Sequence, residues 1–163
     1  MPIIQPLPEP VIENVVHLLQ AHQKYQRNEG WQLWFDKQLA TACRHIEYFV
    51  RPLVSIEAAK AWKAAGGQGC LQKRRYKAPA HWRKGEGLHF EHAVPVKDLK
   101  APLLECDFVI SMDSVRQVLE RAEIVWITKG ENGELPQKAA RPDWRAVYKE
   151  SGIELHDDGC CPC

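Results

Sequence analysis

The chain has 163 residues, 22 of them lysine or arginine and 21 aspartate or glutamate, and 45% are hydrophobic. A chain of this length and composition folds as one domain, with or without an appendage, and needs neither disulfides nor a metal merely to fold. We find no secretory signal pattern and no apolar run long enough to span a membrane, which argues against a membrane protein. We therefore expect a cytoplasmic protein with reduced thiols and no membrane partner.

The first part of the chain is predicted to be a helical support region over residues 11–69. Residues 1–10 hold four prolines and should be extended. Apolar residues then recur at helical spacing, which predicts helices over about 11–26 and 31–49, followed by a short helix over 56–65 that ends at a run of glycines. Three of the six tryptophans favour a packed N-terminal part, namely Trp31, Trp34 and Trp62.

A basic loop is predicted over residues 70–87. No acidic residue occurs from Ala58 to Gly85, and a polyanion is attracted to such a patch because each phosphate contact releases counterions. Aromatic side chains among the cations can stack on unpaired bases, although a solvated surface loop is the alternative. The predicted nucleic-acid-binding residues are Lys73, Arg74, Arg75, Lys77, Arg83 and Lys84.

The second half of the chain combines two strand patterns with short helices. In chain order, the sequence predicts a strand at 88–94, a turn region at 95–102, a helix at 113–122, a strand at 124–127, a short helix at 128–135 and a last helix at 143–150. The short helix starts with a capping-box pattern, Thr128 followed by Glu131. The expected fold class is α+β, with an N-terminal helical part, a small two-stranded core that contains a helical insertion, and a C-terminal helix.

The end of the first strand carries the residues best suited to catalysis. Glu91 and His92 are adjacent there, and hydrolysis of a phosphodiester needs a base to activate water and a cation to neutralise charge. Imidazole titrates near neutral pH, which suits His92 as the base. Glu91 and the side-chain oxygen of Asn132 are ligands for a hard cation. His89 shares a strand face with Glu91 and is a rival ligand, with a structural role as the alternative.

These residues resemble the HNH, or ββα-metal, endonuclease superfamily, in the branch with an acidic-His pair that recombination endonuclease VII typifies. The likeness covers about residues 88–155 and extends to small phage-type HNH-like proteins. It implies a ββα-metal-like core, a divalent metal (Mg²⁺ or Mn²⁺) bound by Glu91 and Asn132, and His92 as general base. The predicted function is therefore a metal-dependent endonuclease, with DNA a better candidate substrate than RNA.

The alternative function is a non-catalytic module that binds nucleic acid or protein, such as a phage or mobile-element accessory protein that keeps the fold without the chemistry. A Cys-rich tail is predicted at 156–163, and because the spacing of its cysteines fits no known zinc site we expect no zinc there. The other three cysteines are expected to be small buried residues or bystanders, namely Cys43, Cys70 and Cys106.

Overall fold

The computed structural model describes residues 6–73, 87–136 and 141–156. In this part of the chain the fold is α+β with helices predominating, as the sequence predicts: seven α-helices and one three-stranded mixed sheet. The α-helices are α1 (Glu9–Lys24), α2 (Glu29–His45), α3 (Ile56–Ala64), α4 (Val96–Leu103), α5 (Met112–Leu119), α6 (Lys129–Glu134) and α7 (Trp144–Glu150). The strands are β1 (Leu53–Val54), β2 (Leu88–His92) and β3 (Ile124–Thr128), and 3-10 turns occur at Ile46–Tyr48 and Leu71–Lys73.

The sheet has the order β1-β3-β2, with β1 parallel and β2 antiparallel to the central strand. Four of the five residues of β3 are buried, which explains its continuous apolar sequence. Because Leu88 pairs with Thr128 and His92 with Ile124, the end of β3 lies beside the beginning of β2. Helix α6 follows β3 directly and packs on both strands. Two antiparallel strands followed by a short helix are therefore present in the order that the sequence predicts.

The N-terminal helices α1 and α2 pack against each other and cover one side of the core. Helix α1 begins at Glu9, inside the segment predicted to be extended, because a proline in the first turn loses no helical hydrogen bond. Asn28 caps the start of helix α2, because its side chain accepts a hydrogen bond from the Trp31 backbone N–H. Trp62 is buried as expected, whereas Trp31 and Trp34 are about half exposed.

Helix α4 (Val96–Leu103) covers nearly all of the segment 95–102, which was predicted to be a turn region. That prediction is wrong because it gave two prolines more weight than the apolar pair Leu99 and Leu103, which are buried one turn apart. Pro95 caps the helix and Pro102 lies in its last turn. Helix α4 packs on α2, and Lys100 Nζ lies 2.6 Å from Asp36 Oδ1 across this contact.

The predicted capping box at the start of α6 is confirmed and extends beyond its own helix. The Thr128 side chain accepts from the Glu131 N–H at 3.1 Å, and the Glu131 carboxylate accepts from the Thr128 N–H at 2.7 Å. The same Glu131 oxygen accepts a hydrogen bond from Ser55 Oγ at 2.8 Å. Ser55 in turn caps α3 by accepting from the Ala58 N–H. One carboxylate therefore holds the starts of two helices.

Replacing Glu131 with alanine should lower the free energy of unfolding by about 2 kcal/mol. The loss combines a missing cap, worth about 1 kcal/mol, with a buried hydroxyl that loses an acceptor, worth about the same. Urea denaturation of the variant measures the change. Glu134→Ala, at an exposed position of the same helix, is the matched control and should cost less than about 0.5 kcal/mol. Equal losses in the two variants would contradict the shared-cap interpretation.

Among the described residues, no helix combines the length and the apolar character needed to cross a lipid bilayer. Cys43 and Cys70 are buried, as expected for small apolar residues, and Cys106 is exposed. The cysteines of the predicted tail, Cys160, Cys161 and Cys163, lie outside the described residues.

Candidate active site

Glu91 and His92 are the last two residues of β2 and line a pocket of about 300 Å³. Three cationic side chains line the same pocket, namely Arg44, Lys97 and Arg141. They come from the last turn of α2, the first turn of α4 and the segment before α7. Neighbouring side chains on a regular strand point to opposite faces. Here the chain turns after His92 toward Pro95, and Glu91 and His92 both line the same pocket.

The Glu91 carboxylate is held by His89 on the same strand and by Arg141 from the segment before α7. Its Oε1 accepts from Arg141 Nη1 at 2.6 Å, and its Oε2 lies 2.9 Å from His89 Nε2. The Arg141 backbone N–H also donates to Asp98 Oδ2 at 2.8 Å, which fixes this segment against α4. Burial alone would raise the pKa of Glu91, but the hydrogen bonds and charges of His89 and Arg141 hold that pKa below its usual value. Glu91 is therefore ionised at neutral pH.

His92 lies in a different environment from its neighbour. Its Nε2 is 3.0 Å from Glu47 Oε2, in a direction that does not make a hydrogen bond, and Nε2 has no hydrogen-bond partner among the described residues. Burial lowers the pKa of His92 below its usual value, although the negative charge of Glu47 opposes this. Burial thus favours the neutral imidazole, the state in which it can accept a proton, while its Nε2 is itself buried beside Glu47.

Several residues of this site escape prediction from the sequence. Glu47 is 7% exposed in the 3-10 turn after α2, and Arg141 is 6% exposed. Each meets its partner only through the tertiary fold, since Arg141 and Glu91 are 50 residues apart in the chain. Arg44 and Lys97 carry no local motif. The sequence offers one indirect signal: a charged residue among apolar neighbours, such as Glu47 after Ile46, needs a partner when it is buried.

The other predicted site residues are distributed along the chain. Asn132 is the fourth residue of α6, whose first N–H, on Lys129, donates to Gly87 O at 2.7 Å. Gly87, the residue before β2, is four residues from Glu91, or about 13 Å along an extended strand. The prediction that Asn132 is the second metal ligand therefore remains a prediction. Lys73 ends a 3-10 turn, and the remaining basic residues lie outside the described residues: Arg74, Arg75, Lys77, Arg83 and Lys84.

Two candidate metal donors, Glu91 and His89, lie close together at this site. In the described part of the chain, no three His, Cys, Asp or Glu side chains converge as a metal-binding group. His89 Nε2 and Glu91 Oε2 nevertheless converge on one strand face. Mg²⁺ commonly uses one or two carboxylates and takes its other ligands from water and phosphate, while imidazole suits softer divalent ions. Arg141 competes for Glu91, so any metal has to share this carboxylate with a guanidinium.

The chain matches no protein-family model, no curated protein and no solved structure. The resemblance to HNH endonucleases therefore rests on the residues that carry it, Glu91, His92 and the strand–strand–helix order around them. The pocket brings together the ionised carboxylate of Glu91, the imidazole of His92 and three cationic side chains within a small volume.

Proposed function

We propose that this protein is an endonuclease that hydrolyses phosphodiester bonds in nucleic acid, DNA in preference to RNA. The observation that carries the proposal is the composition of the pocket at the end of β2. A histidine whose pKa is lowered by burial lies there beside Arg44 and Lys97, whose cationic side chains can bind a phosphate. The order β2, β3, α6, with Glu91 and His92 at the end of the first of these strands, also supports it.

Each side chain of the pocket has a distinct role in the proposed reaction. His92 takes a proton from the attacking water, which requires water to reach its Nε2, buried beside Glu47 in this structure. Arg44 and Lys97 bind the phosphate and hold the scissile bond beside His92. Arg141 holds the carboxylate of Glu91 through its Nη1.

A divalent ion, Mg²⁺ or Mn²⁺, would be held by Glu91 with His89 as the neighbouring donor. When bound, such an ion neutralises charge on the phosphate and on the leaving oxygen. Arg141 makes Glu91 a shared ligand, so we expect weak metal binding. Weak binding means that activity depends on the concentration of free divalent ion, which an assay can vary directly.

Incubation with plasmid and with single-stranded circular DNA tests the proposal. We expect nicking or breakage with Mg²⁺ or Mn²⁺, no cleavage in EDTA, and recovery when excess metal is restored. Arg44→Gln should lower the rate at least about tenfold because a charged phosphate contact is lost. Lys149→Gln, an equivalent loss of charge at an exposed position on α7, is the control. Absence of cleavage with every divalent ion tested would reject the endonuclease.

A second candidate function is a module that binds nucleic acid without cleaving it. The pairing of both Glu91 oxygens with Arg141 and His89 favours it, because a fully paired carboxylate is a poor metal ligand. Binding of DNA that weakens steeply with salt, without any metal-dependent cleavage, would support this function. If the protein neither cleaves nor binds nucleic acid, we infer that it binds another protein instead.

A further inference from the structure

The solvent-facing side of α2 and of the 3-10 turn after it carries an uncommon set of side chains. From residue 33 to residue 48, the exposed residues are Leu33, Trp34, Lys37, Thr41, Arg44, His45 and Tyr48. With the turn counted as part of the helix, they lie within about 120° around its axis, so they form one continuous face. No acid is among them: the side chain of Asp36 is 40% exposed but is neutralised by an ion pair with Lys100, and Glu47 is buried. We call this face the α2 track.

Aromatic rings mark both ends of the α2 track. Trp34 is 47% exposed, and its ring packs edge-on against Phe35 with centroids 4.9 Å apart. Tyr48 is 42% exposed, and its ring lies 5.6 Å from that of His45. These neighbours hold the rings in place while leaving part of each in solvent. Large aromatic side chains exposed in this way indicate a binding surface, because their burial on a partner is favourable.

The cations of the α2 track connect the aromatic ends with the pocket. Lys37 lies one turn beyond Trp34, and Arg44 lies one turn before Tyr48. Arg44 also lines the pocket that contains Glu91 and His92. From Trp34 to Tyr48 the track is about 21 Å long, which equals the rise of about six stacked nucleotides. The surface is therefore continuous with the candidate active site and long enough for a short stretch of strand.

We propose that the α2 track binds an unpaired nucleic-acid strand and delivers it to the pocket at Arg44. Trp34 and Tyr48 stack on bases, and Lys37 and Arg44 contact the phosphates between them. This proposal deepens the proposed function, on which it rests for the identity of the pocket. It specifies the substrate as single-stranded, or as carrying a single-stranded segment next to the cleaved bond.

Charge and ring exposure favour this occupant over a duplex or a protein. The bases of a duplex already stack on one another, so rings outside the grooves gain little from them. The core of a protein interface is depleted of lysine, whereas Lys37 lies between the two aromatic ends of the track. A cationic surface interleaved with rings is the arrangement that binds single strands without sequence preference.

Fluorescence anisotropy of the full chain with labelled oligonucleotides tests the stacking contacts. The probes are a twelve-nucleotide oligothymidylate and its duplex with oligoadenylate, both in EDTA so that no cleavage occurs. Trp34→Ala and Tyr48→Ala should each raise the Kd for the single strand roughly 5- to 150-fold. Trp34→Phe and Tyr48→Phe keep a ring and should retain most of the affinity. Single-strand affinity that is unchanged in both alanine variants would overturn the proposal.

The salt dependence of the same binding tests the phosphate contact of Lys37. In Lys37→Gln, the slope of log Kd against log salt should become shallower by about 0.7, the value for one phosphate contact on a single strand. Lys149→Gln on α7 removes the same charge away from the track and should leave the slope unchanged. Equal changes of slope in the two variants would overturn the assignment of Lys37.

Cleavage assays run beside these measurements separate this inference from the proposed function. Ring-dependent binding of the single strand without any cleavage supports the α2 track and rejects the endonuclease. Cleavage in which neither alanine variant alters Kd or KM supports the endonuclease and rejects the track. Failure to bind either oligonucleotide, or loss of duplex and single-strand affinity by the same factor, also rejects the track. Unchanged urea denaturation of the variants shows that their folding is intact.

Discussion

His92→Ala is expected to lower the rate of phosphodiester cleavage by a factor of roughly 100 to 10,000, the usual contribution of a positioned general base. The variant removes the neutral imidazole of the pocket and leaves Arg44, Lys97 and Arg141 in place. Substrate binding should therefore persist while turnover is lost. Single-turnover cleavage together with oligonucleotide binding separates the two effects.

The control must distinguish a catalytic histidine from a structural one. His17→Ala removes an exposed imidazole from α1 and should leave the rate unchanged. His92→Gln keeps a polar side chain beside Glu47 and should fold even if the alanine variant is unstable. A His92→Gln variant that unfolds at the urea concentration of the natural protein, yet cleaves at its rate, would show that His92 is not the base.

Arg141→Met is expected to cause the largest loss of stability, about 3 to 5 kcal/mol in the free energy of unfolding. The reason is that the substitution leaves Glu91, whose side chain is only 15% exposed, without its guanidinium partner, and a mostly buried charge is costly to leave unpaired. Urea denaturation measures the effect. Arg145→Met on α7 is the matched control: its guanidinium lies over the Trp144 ring at 4.4 Å, and its loss should cost at most about 1 kcal/mol.

A double-mutant cycle shows whether the loss comes from the ion pair. Arg141→Met combined with Glu91→Leu replaces both charges with apolar groups and should be more stable than Arg141→Met alone. If the two substitutions are additive, the stability lost in Arg141→Met comes from packing and not from Glu91. If Arg141→Met costs no more than Arg145→Met, the pair contributes little to the fold.

Local patterns account for the parts of the fold that the sequence predicts well. The strands β2 and β3 and the helices α1, α2, α3, α5, α6 and α7 have either an apolar periodicity or a cap that a short window contains. The capping box of Thr128 and Glu131 needs only four consecutive residues. By contrast, β1 is two residues long and therefore has no periodicity to detect. Helix α4 was missed because prolines at both ends concealed its buried leucine pair.

The contacts of the candidate site depend on folding and not on local pattern. The adjacency of Glu91 and His92 is visible in the sequence, and both residues line the pocket. Their partners Arg141 and Glu47 come from distant parts of the chain, where a single arginine or glutamate resembles any exposed charge. The pairing of Glu91 with Arg141 also weakens Glu91 as a metal ligand, because the guanidinium already occupies one of its carboxylate oxygens.

The carboxylate of Glu131 has a consequence for how the domain opens. Helix ends usually fray independently, since the first N–H groups of each helix have no partner within that helix. Here the first turns of α3 and α6 share one acceptor through Ser55 and Thr128, so separating either from Glu131 disturbs the other. These two helix ends lie at the same end of the sheet, since α3 follows β1 and α6 follows the parallel strand β3. We therefore expect local opening at these two helix ends to be cooperative, because loosening either one disturbs the carboxylate that holds the other.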